Sequence, residues 1–320
     1  METIGNPWLW GGFFVVVIVA LLADLVLMRH GGPHKVKFKE ALWWSIGWVC
    51  LALAFNAGLW YYLKETVDVA TANTLGLQFL TGYLIEKALA VDNIFVFLLI
   101  MSYFSVPEIQ RQRVLIIGII GAIFLRTIMI FAGAALVNQF HWILYVFGAF
   151  LLFTGWKMWS AHGEEPSLDD NPALKLMRKH LKISQEYNGN NLMIEKDGVK
   201  WFTPMFVVLV LIAVTDVIFA VDSIPAIFAI TTDPFIVLTS NVFAVLGLRA
   251  MFFMLAGMAD RFHLLPYGLS IILGFIGIKM LLIDIYKIPV PVSLGVVFAI
   301  LVITMVLSLK IPPKDDASKG

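Results

Sequence analysis

Cysteine is almost missing from this chain. Cys50 stands alone among 320 residues, which excludes an internal disulfide or a dithiol centre and leaves a small residue suited to helix packing. A Gly-rich phosphate loop of the form GxxxxGK[ST] is absent, so ATP hydrolysis is not expected. Histidine is scarce, six in all, and none falls in the middle of an apolar stretch. Charge is scarce as well: 14% of residues are charged and 60% are hydrophobic, which is not the composition of a soluble domain. The formal net charge of +1 points to no acidic or basic partner, and no nucleic-acid ligand is expected.

What is present is long apolar runs of the length needed to cross about 30 Å of hydrocarbon. Nine are expected, near 8–28, 41–63, 76–102, 114–137, 141–160, 204–230, 236–258, 266–286 and 291–310. The fold class is therefore all-α, a polytopic membrane protein of about nine transmembrane helices. The distribution of Lys and Arg sets the orientation. No basic residue precedes the first span, whereas Arg29, Lys35, Lys37 and Lys39 follow it, so the N-terminus is expected outside. Arg111, Arg113, the basic residues from Lys175 to Lys200, Arg261, Lys314 and Lys319 then fall inside, leaving Lys64 and Lys287 outside. The first span has no basic n-region and exceeds a signal-peptide core in length, so it reads as a retained helix.

The sizeable polar interval, 161–203, is too long for a tight helix connection. ALKLMRKHL reads as a short amphipathic helix at the membrane surface, and NLMIEKDGVKWF as a hairpin turning at Asp197-Gly198. Thr203 and Pro204 then provide a cap and a first helical residue.

Two of the apolar runs carry carboxylates in a repeated pattern. EKALAVDNI at 86–94 returns as DVIFAVDSI at 216–224, pairing Glu86 with Asp216 and Asp92 with Asp222. An ionised side chain at the centre of a membrane helix costs about 2.5–3.5 kcal/mol on insertion scales, so these acids need a cation, a proton or a partner. The repeat continues: LRTIMIFAGAAL at 125–136 matches LRAMFFMLAGMA at 248–259, and YVFGAFLLFTGWKM at 145–158 matches YGLSIILGFIGIKM at 267–280. Arg126 thereby corresponds to Arg249, Tyr145 to Tyr267, Gly155 to Gly277 and Lys157 to Lys279. Each unit is three helices long, an odd number, so the two units run in opposite senses across the membrane. Inverted repeats with a midplane site between them are a signature of secondary transporters. The expected units are an N-terminal helix pair (1–75), a first three-helix repeat (76–160), the polar loop (161–203), an inverted three-helix repeat (204–287) and a final helix with its tail (288–320).

Glu86 and Asp92 lie about 9 Å apart along an ideal helix and about 120° apart around it, so one regular helix cannot aim both at one ion. The pseudo-twofold arrangement predicts Asp92 facing Asp222 near the midplane, with Glu86 toward the outside and Asp216 toward the inside. Asn93 and Ser223 are candidate oxygen ligands beside them. Pro225 and Gly82 are expected to loosen their helices so that backbone oxygens join the site. An all-oxygen set of this kind suits Mn²⁺, Mg²⁺ or Ca²⁺. The competing reading is that the acids form intramembrane salt bridges with Arg126 and Arg249, and an arginine can hold a carboxylate while the site is empty. Lys87, Lys157 and Lys279 are expected to snorkel to an interface, and Asp24 to sit near water at a helix end.

The paired EKALAVDNIFVF and TDVIFAVDSIPAI, the matched LR and G-x-K elements and the DGVKWFTP entry to the second repeat resemble the TerC family of integral membrane proteins. Over nearly the full length the chain is similar to the Alx-type members of that family. The resemblance implies a multi-pass protein of the bacterial inner membrane, related to cation exporters and associated with manganese efflux. It implies that Glu86, Asp92, Asp216 and Asp222 are the functional residues.

The expected function is thus not enzymatic: a secondary transporter exporting a divalent cation, Mn²⁺ first, with protons as coupling ion, no resident cofactor, and lipid as surroundings. A membrane-bound redox modulator or assembly factor without transport, and a passive cation channel, stay open, as does the oligomeric state. Reporter fusions are predicted to place Gly5 on the periplasmic side and Lys319 in the cytoplasm; a cytoplasmic N-terminus overturns both the orientation and the inversion.

Overall fold

The structure, a computed structural model, describes residues 3–31, 38–140, 142–160, 171–184, 187–189, 191–196, 199–256 and 263–311. The helices are α1 (Pro7–Gly31), α2 (Phe38–Thr66), α3 (Val69–Tyr103), α4 (Glu108–Gln139), α5 (Ile143–Ser160), α6 (Pro172–His180), α7 (Pro204–Phe228), α8 (Pro234–Leu246), α9 (Leu248–Leu255), α10 (Leu265–Leu281) and α11 (Val290–Lys310). Strands β1 (Met193–Lys196) and β2 (Val199–Phe202) lie between α6 and α7.

Local chemistry sets many helix starts. Asp68 opens α3 by accepting from the Thr71 hydroxyl at 2.6 Å and the Thr71 amide at 2.8 Å, bonds that hold its carboxyl below the ordinary range. Asp233 caps α8 through the Phe235 amide at 2.8 Å, ahead of Pro234. The same carboxylate accepts from the Thr3 hydroxyl and the Ile4 amide, tying the N-terminal segment to α8.

Seven segments among the described residues are long and apolar enough to cross a membrane: α1, α2, α4, α5, α7, α8 continued by α9, and α11. The expectation of nine adds α3 and α10. The 35-residue α3 carries Glu86, Lys87 and Asp92, and α10 has 17 residues. Both are helical where spans are expected, and their crossing belongs to the topology proposed below.

Every residue of α8 is buried, which puts this helix at the centre. α3 and α4 pack against it and against α7, α2 packs on α3 and α9, and α5 pairs with α10. The outward faces carry large apolar side chains such as Trp8, Ile18, Phe124, Trp156 and Phe298, a perimeter suited to lipid.

Glycines let α5 and α10 approach backbone to backbone. A Cβ at Gly277 would lie 2.8 Å from the Gly148 carbonyl oxygen, and one at Gly155 2.9 Å from that of Ser270. The later contact on α5 meets the earlier one on α10, so the helices are antiparallel. Gly82 has a packing role too. A Cβ there would meet the Ser240 hydroxyl at 2.8 Å, and α3 runs unbroken past it, contrary to the expected loosening. α7 likewise continues through Pro225 to Phe228.

In the polar interval, Asn171 caps α6, which buries Leu174 and Met177 as an amphipathic helix should. The strands form the expected antiparallel hairpin, with Lys196 opposite Val199; residues 197 and 198 lie outside the described residues. Thr203 stands at the N-cap of α7, but its hydroxyl donates to the Asn191 carbonyl at 2.8 Å and makes no capping bond. The Tyr187 hydroxyl donates to the Phe104 carbonyl at 2.7 Å, and burial pushes its phenol up to about 12. This bond fastens the interval to the α3–α4 connection.

Gly277→Ala is predicted to destabilise the protein by about 1–3 kcal/mol, because backbone stands where the methyl would go. Gly295→Ala, with nothing within 4 Å of its Cβ position, should be neutral. Thermal unfolding in detergent checks the pair, and equal stability of the two variants refutes the close-packing role of Gly277.

Candidate cation site

The centre holds a charge that the apolar surroundings alone would not tolerate. Arg126, on α4, is 1% exposed and the largest fully buried side chain among those described. Its Nη2 donates to Asp216 Oδ1 at 2.8 Å and its Nε to Asp216 Oδ2 at 3.0 Å, a bidentate pair with α7. Its Nη1 donates to Glu86 Oε1 on α3 and, at 3.4 Å, to Asn241 Oδ1 on α8. One guanidinium therefore joins four helices, and an ion pair of this burial is stable only because both carboxylates approach it closely.

Glu86 uses one oxygen for Arg126. The other, Oε2, is buried without a hydrogen-bond partner, and Glu86 also lines a small cavity with Leu89, Asn93, Met158, Phe219, Asp222, Ser223 and Leu273. Its volume of about 10 Å³ is room for a single water-sized sphere. Two more oxygens in its lining residues are buried and unpartnered: Asn93 Oδ1 and Ser223 Oγ. Asp222 Oδ1 accepts from the Thr154 hydroxyl of α5 at 3.2 Å. Helical spacing explains the convergence. Glu86 and Asn93 are two turns apart on α3, and Asp216, Phe219 and Ser223 share one face of α7. A buried oxygen left without a partner costs about 1–3 kcal/mol, so a cluster of three is a place built for a ligand that accepts lone pairs.

The structure departs from the sequence expectation in several places. Glu86 and Asp216 do not sit at opposite depths; they meet on one guanidinium, because Arg126 inserts between the helices that carry them. Asp92 lies on α3, and its side chain is outside the described residues, so its facing of Asp222 is not described either. Arg249 pairs with Asp24 of α1 and, among the described residues, with none of Glu86, Asp216 and Asp222. Asp24 is accordingly buried within α1, which continues seven residues past it, and does not sit near water. Lys279 does not snorkel: it is buried, and its Nζ donates to Ser293 Oγ at 2.9 Å. Lys87 also turns inward, its Nζ 3.4 Å from the Met251 sulfur and 5.7 Å from the Tyr83 ring centre. Lys157 is exposed.

Asn241, Thr154 and Met158 were not legible as site residues. Met158 belongs to the repeated G-x-K-M element, which carried a signal, and Thr154 stands just before it opposite Ile276, but nothing in the repeat says that this face of α5 reaches α7. Among the described residues, no three of His, Cys, Asp and Glu group closely enough to hold a metal by themselves. The convergent set is instead two carboxylates, an amide and a hydroxyl.

A many-helix apolar body with carboxylates at its centre defines a multi-pass integral membrane protein. The chain belongs to the family described as "Integral membrane protein TerC family", whose model matches residues 71–316. It is similar to the "Putative membrane-bound redox modulator Alx" of Shigella flexneri, 55% identical over 320 residues and covering all of both chains. An uncharacterized membrane protein of Myxococcus xanthus is 48% identical over 323 residues, covering 99% of this chain and 98% of its own. One of Rickettsia felis is 38% identical over 300 residues, covering 94% and 97%. No solved structure matches the chain.

Arg126→Met is predicted to destabilise the protein by about 3–5 kcal/mol, because two buried carboxylates lose their counter-charge. Adding Glu86→Gln and Asp216→Asn should recover much of that loss. Unfolding in detergent is the readout, and an Arg126→Met protein as stable as the parent refutes the central role of this ion pair.

Proposed function

We propose that the chain is a secondary transporter that exports a divalent metal cation, with Mn²⁺ as the ion, and is not an enzyme. One observation carries the reading: Glu86, Asn93 and Ser223, each with a buried oxygen that lacks a partner, line one cavity with Asp222 between the two helices that hold the repeated acidic segments. Glu86 and Asp222 are the proposed charged ligands at this cavity, and Asp92 is proposed as a ligand at a second point on the ion's path, because one regular helix cannot aim Glu86 and Asp92 at the same ion. Asp216 acts through Arg126, which holds Glu86 when metal is absent and releases it to the cation. Glu86 and Asp216 share the one guanidinium and Asp222 adds a third carboxylate at the cavity that Glu86 lines, negative charge that a divalent ion offsets.

The proposed topology is nine crossings in the bacterial inner membrane, N-terminus periplasmic and C-terminus cytoplasmic, with the units 76–160 and 204–287 as inverted repeats. The α5–α10 contacts support it. Under the match of Tyr145 with Tyr267, the contact of Gly148 with Gly277 maps onto that of Ser270 with Gly155, the reciprocity expected of a twofold relation. Export of a divalent cation from a negative interior is opposed by about 4.6 kcal/mol at 100 mV, so coupling is required. Protons supply it: the carboxylates take up protons as metal leaves outside and lose them to the cytoplasm before reloading.

The name of the Alx relatives favours a second reading, a redox modulator. The single cysteine, Cys50, is exposed on α2 and away from the cavity, and offers no dithiol to cycle.

Asp222→Asn keeps the shape and removes the charge. It is expected to insert normally yet abolish Mn²⁺ uptake into inside-out vesicles, while wild-type uptake rises with a proton gradient. Parental flux in Asp222→Asn defeats the site, and flux indifferent to the gradient assigns a passive channel.

A further inference from the structure

One residue of the cavity wall carries a donor that is not oxygen. Met158 lines the space together with Glu86, Asn93, Asp222 and Ser223, and the side chains of the remaining lining residues among those described, Leu89, Phe219 and Leu273, have no lone pair to offer. Met158 follows Thr154 by one helical turn on α5, and the Thr154 hydroxyl binds Asp222, so this face of α5 is turned toward the carboxylate.

We infer that Met158 is a specificity-determining residue: its thioether sulfur joins the oxygens of Glu86, Asn93, Asp222 and Ser223 around the cargo and selects divalent transition-metal ions over Ca²⁺ and Mg²⁺. The inference rests on the transport reading above, since it needs a cation in this cavity. A space for a single water-sized sphere cannot admit an ion with its hydration shell, so wall atoms must replace the waters. Mg²⁺ gives up its waters reluctantly, and Ca²⁺ takes six to eight oxygens. A neutral, polarisable sulfur repays neither ion for a lost water, whereas it is an acceptable ligand for borderline and soft metals. The sequence-based expectation of an all-oxygen site, suited to Mn²⁺, Mg²⁺ or Ca²⁺, is narrowed by this one side chain.

The repeat supplies an internal control. Met280 occupies the matching position in GFIGIKM, is fully buried in α10, and does not figure among the described residues lining the cavity. A methionine kept only for apolar packing would behave alike at both positions.

The test is equilibrium binding of Mn²⁺, Cd²⁺ and Ca²⁺ to the purified full-length protein in detergent. Cd²⁺ and Ca²⁺ have nearly the same radius and differ in softness, so their ratio reports the sulfur and not the size of the site. Met158→Leu keeps the volume and removes the lone pairs. It is expected to lower the preference for Cd²⁺ over Ca²⁺ by about tenfold or more, while Met280→Leu retains it. Met158→Gln, which offers a hard oxygen at similar reach, should strengthen Ca²⁺ binding. An unchanged Cd²⁺ to Ca²⁺ ratio in Met158→Leu, an equal loss in Met280→Leu, or unchanged Ca²⁺ binding in Met158→Gln overturns the inference while leaving a metal site in place. Failure of the wild type to bind any of the three ions saturably refutes the transport reading itself.

Discussion

Arg126 carries a full positive charge where almost no solvent reaches it, and everything at the centre of the molecule is arranged around that fact. An uncompensated guanidinium in an apolar interior is prohibitively expensive, so α3 and α7 must each deliver a carboxylate to it, and α8 an amide. That requirement sets the depth and rotation of the helices relative to one another more tightly than apolar packing does, because dispersion contacts tolerate sliding and a bidentate ion pair does not. The cavity follows from the same arrangement. Glu86 is pinned by one oxygen, which leaves the other buried without a partner on a residue that lines the space shared with Asn93, Asp222 and Ser223.

The second arginine of the repeated sequence pattern has a different partner from the first. Arg249 stands where the pattern puts a counterpart of Arg126, yet its counter-ion comes from Asp24 of α1. The region matched by the family model begins at residue 71, so α1 lies outside it and still contributes a buried carboxylate to it. Together with the bonds from Thr3 and Ile4 to Asp233, this fastens α1 to the central α8–α9 segment at two separate places. The first helix is thus part of the electrostatic framework and not a detachable anchor.

Membrane helices gain little from hiding apolar surface from one another, so packing detail and polar contacts carry the specificity of their association. Both devices are visible here, and they are separated in space. The α5–α10 pair relies on glycines that let backbones touch, whereas the α3–α4–α7–α8 core relies on charge. Met158 and Thr154 lie where the two regimes meet, on the helix that joins the glycine-packed pair to the carboxylate of α7.

By itself the sequence determined the membrane class, the positions of the helices, the hairpin at 193–202 and the repeated acid, arginine and glycine elements. These are local or periodic properties: hydropathy over a helix length, a turn pair between strand-like runs, a motif that recurs in order. It also showed that one helix could not aim Glu86 and Asp92 at the same point. Only the tertiary structure decided which groups meet. Glu86 and Asp216 share Arg126 where opposite depths were expected, Asp24 answers Arg249, Lys279 turns inward to Ser293, and Met158 lines one small cavity with Glu86, Asn93, Asp222 and Ser223. Helical periodicity assigns a residue to a face, but the rotation and sliding of one helix against another depend on all their contacts at once, and no single stretch of sequence records them.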